Sequence, residues 1–198
     1  MKYIVGIDEA GRGPLAGPVA VGIFVIAENK LKKLDLSGLK DSKKLSAQKR
    51  EEWREKIKKM KKDGIADFEV VLVSEKHIDK NRIHNSIKFG IEKGIKKLKI
   101  GKRDKIFLDG GLRLDKTFLF QETIIKGDEK IPVISLASIV AKVTRDEKMV
   151  KLAHKYPAYG FDIHKGYGTK MHYKMLKKHG PSPAHRRTFL HLDEAKKR

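Results

Sequence analysis

The first thirty residues restrict the fold more than any other part of the sequence. Residues 2–9 (KYIVGIDE) are rich in β-formers and end at two adjacent carboxylates, Asp8 and Glu9. After a turn that contains glycine and proline, residues 18–27 (PVAVGIFVIA) form a continuous apolar run, which predicts a buried strand. The chain is therefore expected to begin with two strands joined by a short turn.

Helical patterns and short apolar segments alternate through the rest of the chain. Ser46 is placed to cap a helix that Gly64 ends, and isoleucines at four-residue spacing predict a second helix over residues 77–97. Further helices are predicted over residues 135–154 and 169–178, and further strands over residues 68–73 and in the segments KIFLDGG and ETIIKGD. Two early strands followed by alternating helices and strands indicate an α/β domain with a mixed sheet.

The length and hydropathy of the chain limit its organisation. At 198 residues it suits one domain, predicted over residues 1–155, with a small basic C-terminal region over residues 156–198. No apolar run approaches the roughly 20 residues that span a bilayer. The N-terminus also lacks the apolar core of a secretory signal, so we expect a cytoplasmic protein with no membrane partner.

Charge is the strongest signal in the composition. The 46 lysine and arginine residues outnumber 25 acidic residues and give a formal net charge of +21. Such an excess favours a polyanionic partner such as nucleic acid. Heat adaptation also enriches a surface in lysine, but it usually adds charges of both signs.

Cysteine is absent from the sequence, which excludes disulfides, thiolate metal sites and cysteine nucleophiles. Any metal must then be held by oxygen or imidazole ligands. Oxygen ligands favour hard cations such as Mg²⁺ or Mn²⁺.

Three apolar segments end in acids: at Asp8 and Glu9, at Asp109, and at Asp128. A single acid at a strand end is usually a cap or a surface ion pair. Catalytic and ligand groups of open α/β sheets, however, gather at the carboxyl ends of the strands. Clustered carboxylates repel one another unless cations bind between them, and two cations about 3.5–4 Å apart are the usual apparatus for attack on a phosphodiester.

The turn Gly11-Arg12-Gly13 allows two interpretations. With Ala16 it matches the G-x-G-x-x-G/A fingerprint of dinucleotide-binding proteins, which requires a helix directly after the turn. Here prolines interrupt the segment and a strand is predicted instead, so we reject that interpretation. Glycines that flank an arginine also let backbone amides approach a nucleic-acid strand.

Other motifs are less specific. Ser42 and Lys43 lie in a polar loop suited to phosphate contact, although lysine-rich loops are usually only solvated. Tyr167 stands between glycines, where it is either a platform for a sugar or base or, as spacing alone favours, a tyrosine at a buried edge. His172 and His179 show no metal-ligand pairing and are expected to add to a basic surface, and Trp53 is expected to anchor its helix in the core.

Several ordered blocks resemble the ribonuclease HII family, which belongs to the type 2 ribonucleases H. They are Ile7-Asp8-Glu9-Ala10-Gly11-Arg12-Gly13-Pro14, Asp41-Ser42-Lys43-Lys44-Leu45, Leu108-Asp109-Gly110, Lys126-Gly127-Asp128, and the run from Ala137 to Asp146. Ribonuclease HIII, the sister type, usually has threonine where Arg12 stands and carries an extra N-terminal domain. One departure from the family is Leu136, where a small residue is usual.

The resemblance implies a ribonuclease H-like fold, which is a five-stranded mixed sheet flanked by helices, with the C-terminal region completing the substrate groove. It implies that Asp8, Glu9, Asp109 and Asp128 bind Mg²⁺ or Mn²⁺. In such enzymes one ion activates water and the other stabilises the leaving 3′ oxygen, which gives 5′-phosphate and 3′-hydroxyl ends.

The resemblance also implies the substrate, which is an RNA/DNA hybrid or duplex DNA with embedded ribonucleotides, cut on the 5′ side of a ribonucleotide. The turn Gly11-Arg12-Gly13 and Tyr167 are expected to read the 2′-hydroxyl, the only group that marks one ribonucleotide within DNA. Ser42 and Lys43 are expected to hold phosphates, and a monomer is expected. The alternative function is a non-catalytic basic protein that binds nucleic acid.

Overall fold

The computed structural model describes residues 2–39 and 45–190. Its strands are β1 (Tyr3–Ala10), β2 (Val19–Ala27), β3 (Ala66–Val73), β4 (Lys105–Asp109) and β5 (Gln121–Ile124). They form one sheet in the order β3-β2-β1-β4-β5. β2 is antiparallel to β1 and β3, whereas β4 is parallel to both β1 and β5. The five-stranded mixed sheet is therefore confirmed.

Helices surround this sheet in the described part of the chain. They are α1 (Glu28–Leu31), α2 (Ala47–Lys62), α3 (Glu75–Lys97), α4 (Gly127–Lys130), α5 (Pro132–Lys155), α6 (Phe161–His164) and α7 (Lys170–His179), with 3₁₀ turns at Pro157–Tyr159 and Arg187–Phe189. The hydroxyl of Ser46 accepts a hydrogen bond from the amide of Lys49, which confirms the predicted cap of α2. None of the helices described here has the length and hydropathy needed to cross a bilayer.

Every residue of β2 is buried because helices cover both faces of the sheet. On one face α3 supplies Ile87, Ile91 and Ile95 to a cluster with apolar residues of β1, β2 and β4. On the other face α2 and α5 pack, and Trp53 is only 4% exposed, which confirms it as a core residue. Each large apolar side chain buried in this way stabilises the fold by roughly 1.5–3 kcal/mol.

Helix α5 lies directly against the centre of the sheet. A Cβ added at Gly6 of β1 would lie 2.1 Å from the carbonyl oxygen of Val133, and one at Gly22 of β2 would lie 2.2 Å from that of Ala137. Both glycines are therefore needed for the close approach of the helix backbone. This contact places the N-terminal half of α5 beside the acid-bearing end of β1.

Two helices begin earlier than the sequence pattern indicated. α3 starts at Glu75 after the capping residue Ser74, and it is kinked at Arg82, whose φ of 64° is not helical. α5 starts at Pro132, where the fixed φ of proline suits the first helical position. The periodic pattern identified the buried stripes of both helices but not these starts, which depend on capping.

The C-terminal region packs against the turn between β1 and β2. Leu15 and Ala16 of that turn join a buried cluster with Met149 and Leu152 of α5 and with Phe161, Leu176 and Ala184. Ala16 also forms an isolated β-bridge with His185. The segment that follows the first acids is thus held from the C-terminal side of the chain.

Candidate active site

The first two acids and Asp109 lie together at one edge of the sheet. β1 and β4 are parallel, with Ile7 paired to Leu108, so the next residues along each strand are Asp8 and Asp109. The expected proximity of these acids is confirmed by this register. Sheet pairing between strands that are distant in sequence therefore assembles the site.

Asp8 is almost completely buried, with 4% of its surface exposed. Burial first, and then the negative charges of Glu9 and Asp109, raise the pKa of its carboxyl from 3.8 to about 8. A hydrogen bond with the Ser138 side chain acts in the opposite direction. A carboxyl in such a place is held at a cost in free energy that a bound cation would remove.

Glu9 lies beside Asp8 and faces the turn. Burial raises the pKa of its carboxyl, the charge of Arg12 lowers it, and Asp109 raises it again. Arg12 Nη1 lies 3.4 Å from Glu9 Oε1, and the Arg12 side chain is 53% exposed. Glu9 Oε2 is buried and accepts no hydrogen bond from any described residue. One oxygen of this carboxylate is therefore available as a ligand.

Asp128 is placed differently from its predicted position. β5 ends at Ile124, and Asp128 lies on the one-turn helix α4 after Lys126, whose φ of 55° and ψ of 46° are left-handed. The amide of Gly127 donates a 2.7 Å hydrogen bond to Asp109 Oδ1, which joins this turn to the end of β4. Asp128 is fully buried, and the Ser135 hydroxyl donates a hydrogen bond to its backbone carbonyl.

A cavity of about 350 Å³ opens at the acids. Its lining consists of Asp8, Glu9, Ala10, Gly11, Arg12, Gly13, Arg50, Asp109, Ser138, Ile139, Lys142 and Tyr167. Of the four predicted acids, Asp8, Glu9 and Asp109 line it, whereas Asp128 is not among the lining residues. The predicted turn and Tyr167 also line it, so the structure brings together motifs separated by more than 150 residues of sequence.

The turn after β1 leads into a strand rather than a helix. No helix lies between Gly13 and the start of β2 at Val19, so the dinucleotide interpretation is wrong. Gly11 has a φ of +88°, in the left-handed region that favours glycine. A Cβ at Gly13 would meet no heavy atom within 4 Å, so this side of the turn is open.

Tyr167 is 44% exposed and lines the cavity, so the interpretation of a tyrosine at a buried edge is wrong. Its ring lies 5.7 Å from the guanidinium carbon of Arg145. Ser42 and Lys43 lie outside the described residues. His172 does not contribute to a basic surface, because it is fully buried and its Nε2 lies 3.0 Å from Nε2 of His185.

The site contains residues that pattern analysis did not select. Arg50, Ser138 and Lys142 line the cavity, and Lys142 forms a 2.7 Å ion pair with Asp146 one helical turn away. Ser138 and Lys142 lie four residues apart in α5, a spacing that indicates one helix face. That spacing was the available signal for a shared role.

Comparison with known proteins agrees with this arrangement. A family model described as Ribonuclease HII matches residues 5–192. The chain belongs to the ribonuclease HII family. It is thus a metal-dependent type 2 ribonuclease H, an endoribonuclease that acts on RNA/DNA hybrids.

Individual members of the ribonuclease HII family are similar over most of the chain. The ribonuclease HII of Caldicellulosiruptor bescii is 43% identical over 189 residues, which cover 96% of this chain and 87% of that protein. The structure of the PCNA:RNase HII complex from Archaeoglobus fulgidus gives a TM-score of 0.75 at 30% identity, covering 93% of this chain and 94% of that one. The structure of ribonuclease H2 from Pyrococcus horikoshii gives a TM-score of 0.72 at 32% identity, covering 94% of this chain and 93% of that one.

The donor set of this ribonuclease HII site suits a hard divalent cation. Three carboxylates line one cavity, and Glu9 contributes a buried oxygen with no hydrogen bond from the described residues. Within residues 2–39 and 45–190, however, no three histidine, aspartate or glutamate side chains already converge on one point as a metal site would require. Burial, and then the neighbouring negative charges, raise the pKa of Asp8, and a cation bound between the carboxylates would offset both effects.

Proposed function

We propose that Asp8, Glu9, Asp109 and Asp128 hold the catalytic Mg²⁺ or Mn²⁺ and that the chain cuts on the 5′ side of ribonucleotides, including single ones embedded in duplex DNA. The observation that carries this proposal is the cavity in which three of these acids meet the Gly11-Arg12-Gly13 turn and Tyr167. The acids are thus assigned the metal-dependent hydrolysis, and the turn is assigned the selection of the substrate.

The protein groups have separate tasks in this scheme. When bound, divalent cations would activate water and stabilise the leaving oxygen of the phosphodiester. The chain supplies oxygen ligands from β1 and β4, and the hydrogen bond from the Gly127 amide to Oδ1 orients the Asp109 carboxylate. Asp128, which follows Gly127 on α4, is proposed as the fourth acid of the set.

Substrate choice is assigned to the opposite side of the cavity. Gly13 and Tyr167 are exposed there, and Arg12 projects a largely exposed guanidinium. Backbone amides of a glycine turn can reach a sugar hydroxyl at close range, and a tyrosine ring can pack on the sugar or base. Lys142 and Arg50 would neutralise adjoining phosphates. Ser42 and Lys43 are proposed to hold further phosphates.

The C-terminal region of residues 156–198 is proposed to complete the groove, because its described part carries Tyr167 and packs on the turn. The enzyme is proposed to act as a monomer. Residues 1–155 contribute all four acids and, apart from Tyr167, every lining residue of the cavity. A groove assembled in this way needs no residue from a second copy.

Cleavage of defined duplexes tests the proposal. The substrates are a DNA duplex with one embedded ribonucleotide, an all-DNA duplex of the same sequence, and a long RNA/DNA hybrid, each with Mg²⁺ and with Mn²⁺. The proposal expects a cut on the 5′ side of the single ribonucleotide that leaves 5′-phosphate and 3′-hydroxyl ends. Cleavage of the long hybrid alone would contradict the proposed cleavage at single embedded ribonucleotides. Binding without any cleavage would favour the non-catalytic alternative.

A further inference from the structure

Two arginine side chains, Arg145 and Arg186, lie fully buried behind the Gly11-Arg12-Gly13 turn. Neither lines the cavity. Within the described residues, neither forms an ion pair with a carboxylate at 4 Å or less. Burying a cation without a carboxylate partner costs free energy, so other interactions must stabilise these two guanidinium groups.

Arg186 donates hydrogen bonds from all three guanidinium nitrogens to carbonyls of the turn and the segment after it. Nη2 donates to Gly11 at 2.7 Å, Nη1 to Arg12 at 3.0 Å, and Nε to Gly17 at 2.8 Å. The backbone amide of Arg186 also donates to Leu15 at 2.8 Å. One side chain from the C-terminal region therefore fixes the carbonyls of a turn more than 170 residues earlier.

Arg145 connects the same segment to the loop that carries Tyr167. Its Nε donates to Pro18 at 3.0 Å, while Nη2 donates to Ala16 at 3.3 Å and to Lys165 at 3.0 Å. Nη1 is buried with no partner in the described part of the chain. A Cβ at Gly11 would lie 1.9 Å from Arg145 Nε, so the guanidinium lies directly against the turn.

The opposite edge of the turn remains available. Among the described residues, none accepts a hydrogen bond from the amides of Gly11, Arg12 or Gly13. The carbonyls of Gly11 and Arg12 are thus occupied by Arg186, while the three amides have no partner among the described residues. A turn with its acceptors occupied and its donors free is suited to hydrogen-bond an oxygen of a ligand.

We propose that Arg186 and Arg145 are positioning residues that hold the turn and the Tyr167 loop at a fixed separation, so that discrimination of the 2′-hydroxyl depends on two side chains that do not line the cavity. This inference rests on the proposed function, in which the turn and Tyr167 read the ribonucleotide. Lysine cannot replace either residue, because one ammonium group lacks the planar array of donors that spans separate carbonyls.

Binding without cleavage tests this proposal. Affinities are measured in EDTA for a duplex with one ribonucleotide and for an all-DNA duplex of the same sequence, and their ratio defines discrimination. Arg186→Lys is expected to lower this ratio by about tenfold, the factor that corresponds to one well-placed hydrogen bond. Affinity for the all-DNA duplex is expected to change less than about twofold, because the charge is retained.

Arg54→Lys is the matched control. Arg54 has a side chain 14% exposed and is paired with Glu51 and Glu147, away from the lining of the cavity. This variant is expected to retain the wild-type ratio. Thermal unfolding of each variant identifies any general loss of structure. If Arg186→Lys fails to fold, Arg145→Lys carries the same expectation through its lost contact with Lys165.

The outcomes separate the inference from the proposed function. A wild-type ratio retained in the folded lysine variants overturns the inference, as does an equal loss of affinity for both duplexes. A wild-type protein that does not discriminate in EDTA also overturns it. If the ratio falls as expected but the wild type cuts no single-ribonucleotide duplex, the inference stands and the proposed cleavage fails.

Discussion

The amide of Gly127 donates a 2.7 Å hydrogen bond to Oδ1 of Asp109. This bond joins the end of β4 to the turn that begins α4, and so places Asp128 in a fixed relation to the acids of the parallel strands. A Cβ at Gly127 would lie 2.5 Å from Ile134 Cδ1 and 3.4 Å from the same oxygen of Asp109. The position therefore requires a residue that can approach both groups closely.

The raised pKa of Asp8 predicts that the metal-free protein loses stability as pH rises. The pKa of about 8 in the folded protein exceeds the ordinary value of 3.8, so the contribution of Asp8 to the free energy of unfolding is complete below about pH 4 and is lost as pH rises through 8. Asp8→Asn removes the charge and is expected to raise the free energy of unfolding at pH 8 by about 1–3 kcal/mol. Urea unfolding in EDTA from pH 4 to pH 9 measures the difference.

Glu129→Gln is a suitable control, because Glu129 is an exposed acid on α4. It is expected to leave the pH dependence of unfolding unchanged. Parallel pH profiles for wild type and Asp8→Asn would contradict the assignment of a buried, mutually repelling set of carboxylates. A gap that widens from acidic to alkaline pH is the expected result.

The two glycines of the turn predict opposite phenotypes. Gly11→Ala places a Cβ against Arg145 at a φ of +88°, so it is expected to destabilise the fold by about 1–3 kcal/mol. The Cβ added by Gly13→Ala would meet no heavy atom within 4 Å, so this variant is expected to change the free energy of unfolding by less than about 0.5 kcal/mol. Because its Cβ faces open space at the cavity, cleavage of an embedded ribonucleotide is expected to fall by about tenfold or more.

Denaturant unfolding and steady-state cleavage on the same preparations separate these effects. If Gly13→Ala cleaves at the wild-type rate, the substrate does not approach this part of the turn. Comparable destabilisation by both substitutions would mean that both glycines serve the fold.

The net charge of +21 predicts binding that weakens steeply with salt. Each phosphate neutralised adds about 0.9 to the slope of log affinity against log salt for duplex DNA. Arg12→Gln removes an exposed guanidinium at the cavity and is expected to reduce that slope by about 1. Fluorescence anisotropy from low to physiological salt measures it, and Lys62→Gln at the end of α2 is the control expected to change it less.

The buried histidines predict sensitivity to acid. Burial and the neighbouring His172 lower the pKa of His185 to about 4, and burial also lowers that of His172. The groups that face this pair are His164, Tyr159 and Ser182. Because the pKa values of both histidines are lower in the folded protein than their ordinary value of 6.5, their contribution to the free energy of unfolding is present above about pH 6.5 and is lost as pH falls towards 4.

His185→Gln is expected to flatten this acid-side loss of stability, whereas a substitution of the exposed His154 is not. Unfolding midpoints from pH 7.5 to pH 4 measure the effect. An unchanged acid profile in His185→Gln would assign the transition to other groups.

The part of the site predicted from sequence is the part governed by local patterns. Alternation of strands and helices indicated the mixed sheet, and acids at the ends of β1 and β4 indicated their shared edge because parallel strands end on the same side. The turn was assigned correctly as a turn between strands, since prolines exclude the required helix. Ser46 was identified as a cap by its position before a periodic helical pattern.

The remainder depends on contacts that no local pattern contains. Asp128 lies on a separate turn because Lys126 adopts a left-handed conformation, which is rare for lysine and has no sequence signal. Arg186 is charged and lies in a basic segment, so it was indistinguishable from a surface residue. Its burial follows from carbonyls that are contributed by the other end of the chain.

The most direct test of the central claim compares wild type with Asp8→Asn on a duplex that contains one ribonucleotide, in the presence of Mg²⁺ and then of Mn²⁺. Wild type is expected to cut at the 5′ side of the ribonucleotide. Asp8→Asn is expected to bind the same duplex with similar affinity and to cut it at least about 10³-fold more slowly, because a metal ligand is lost. Cleavage by both proteins at the same rate, or by neither, would contradict the account.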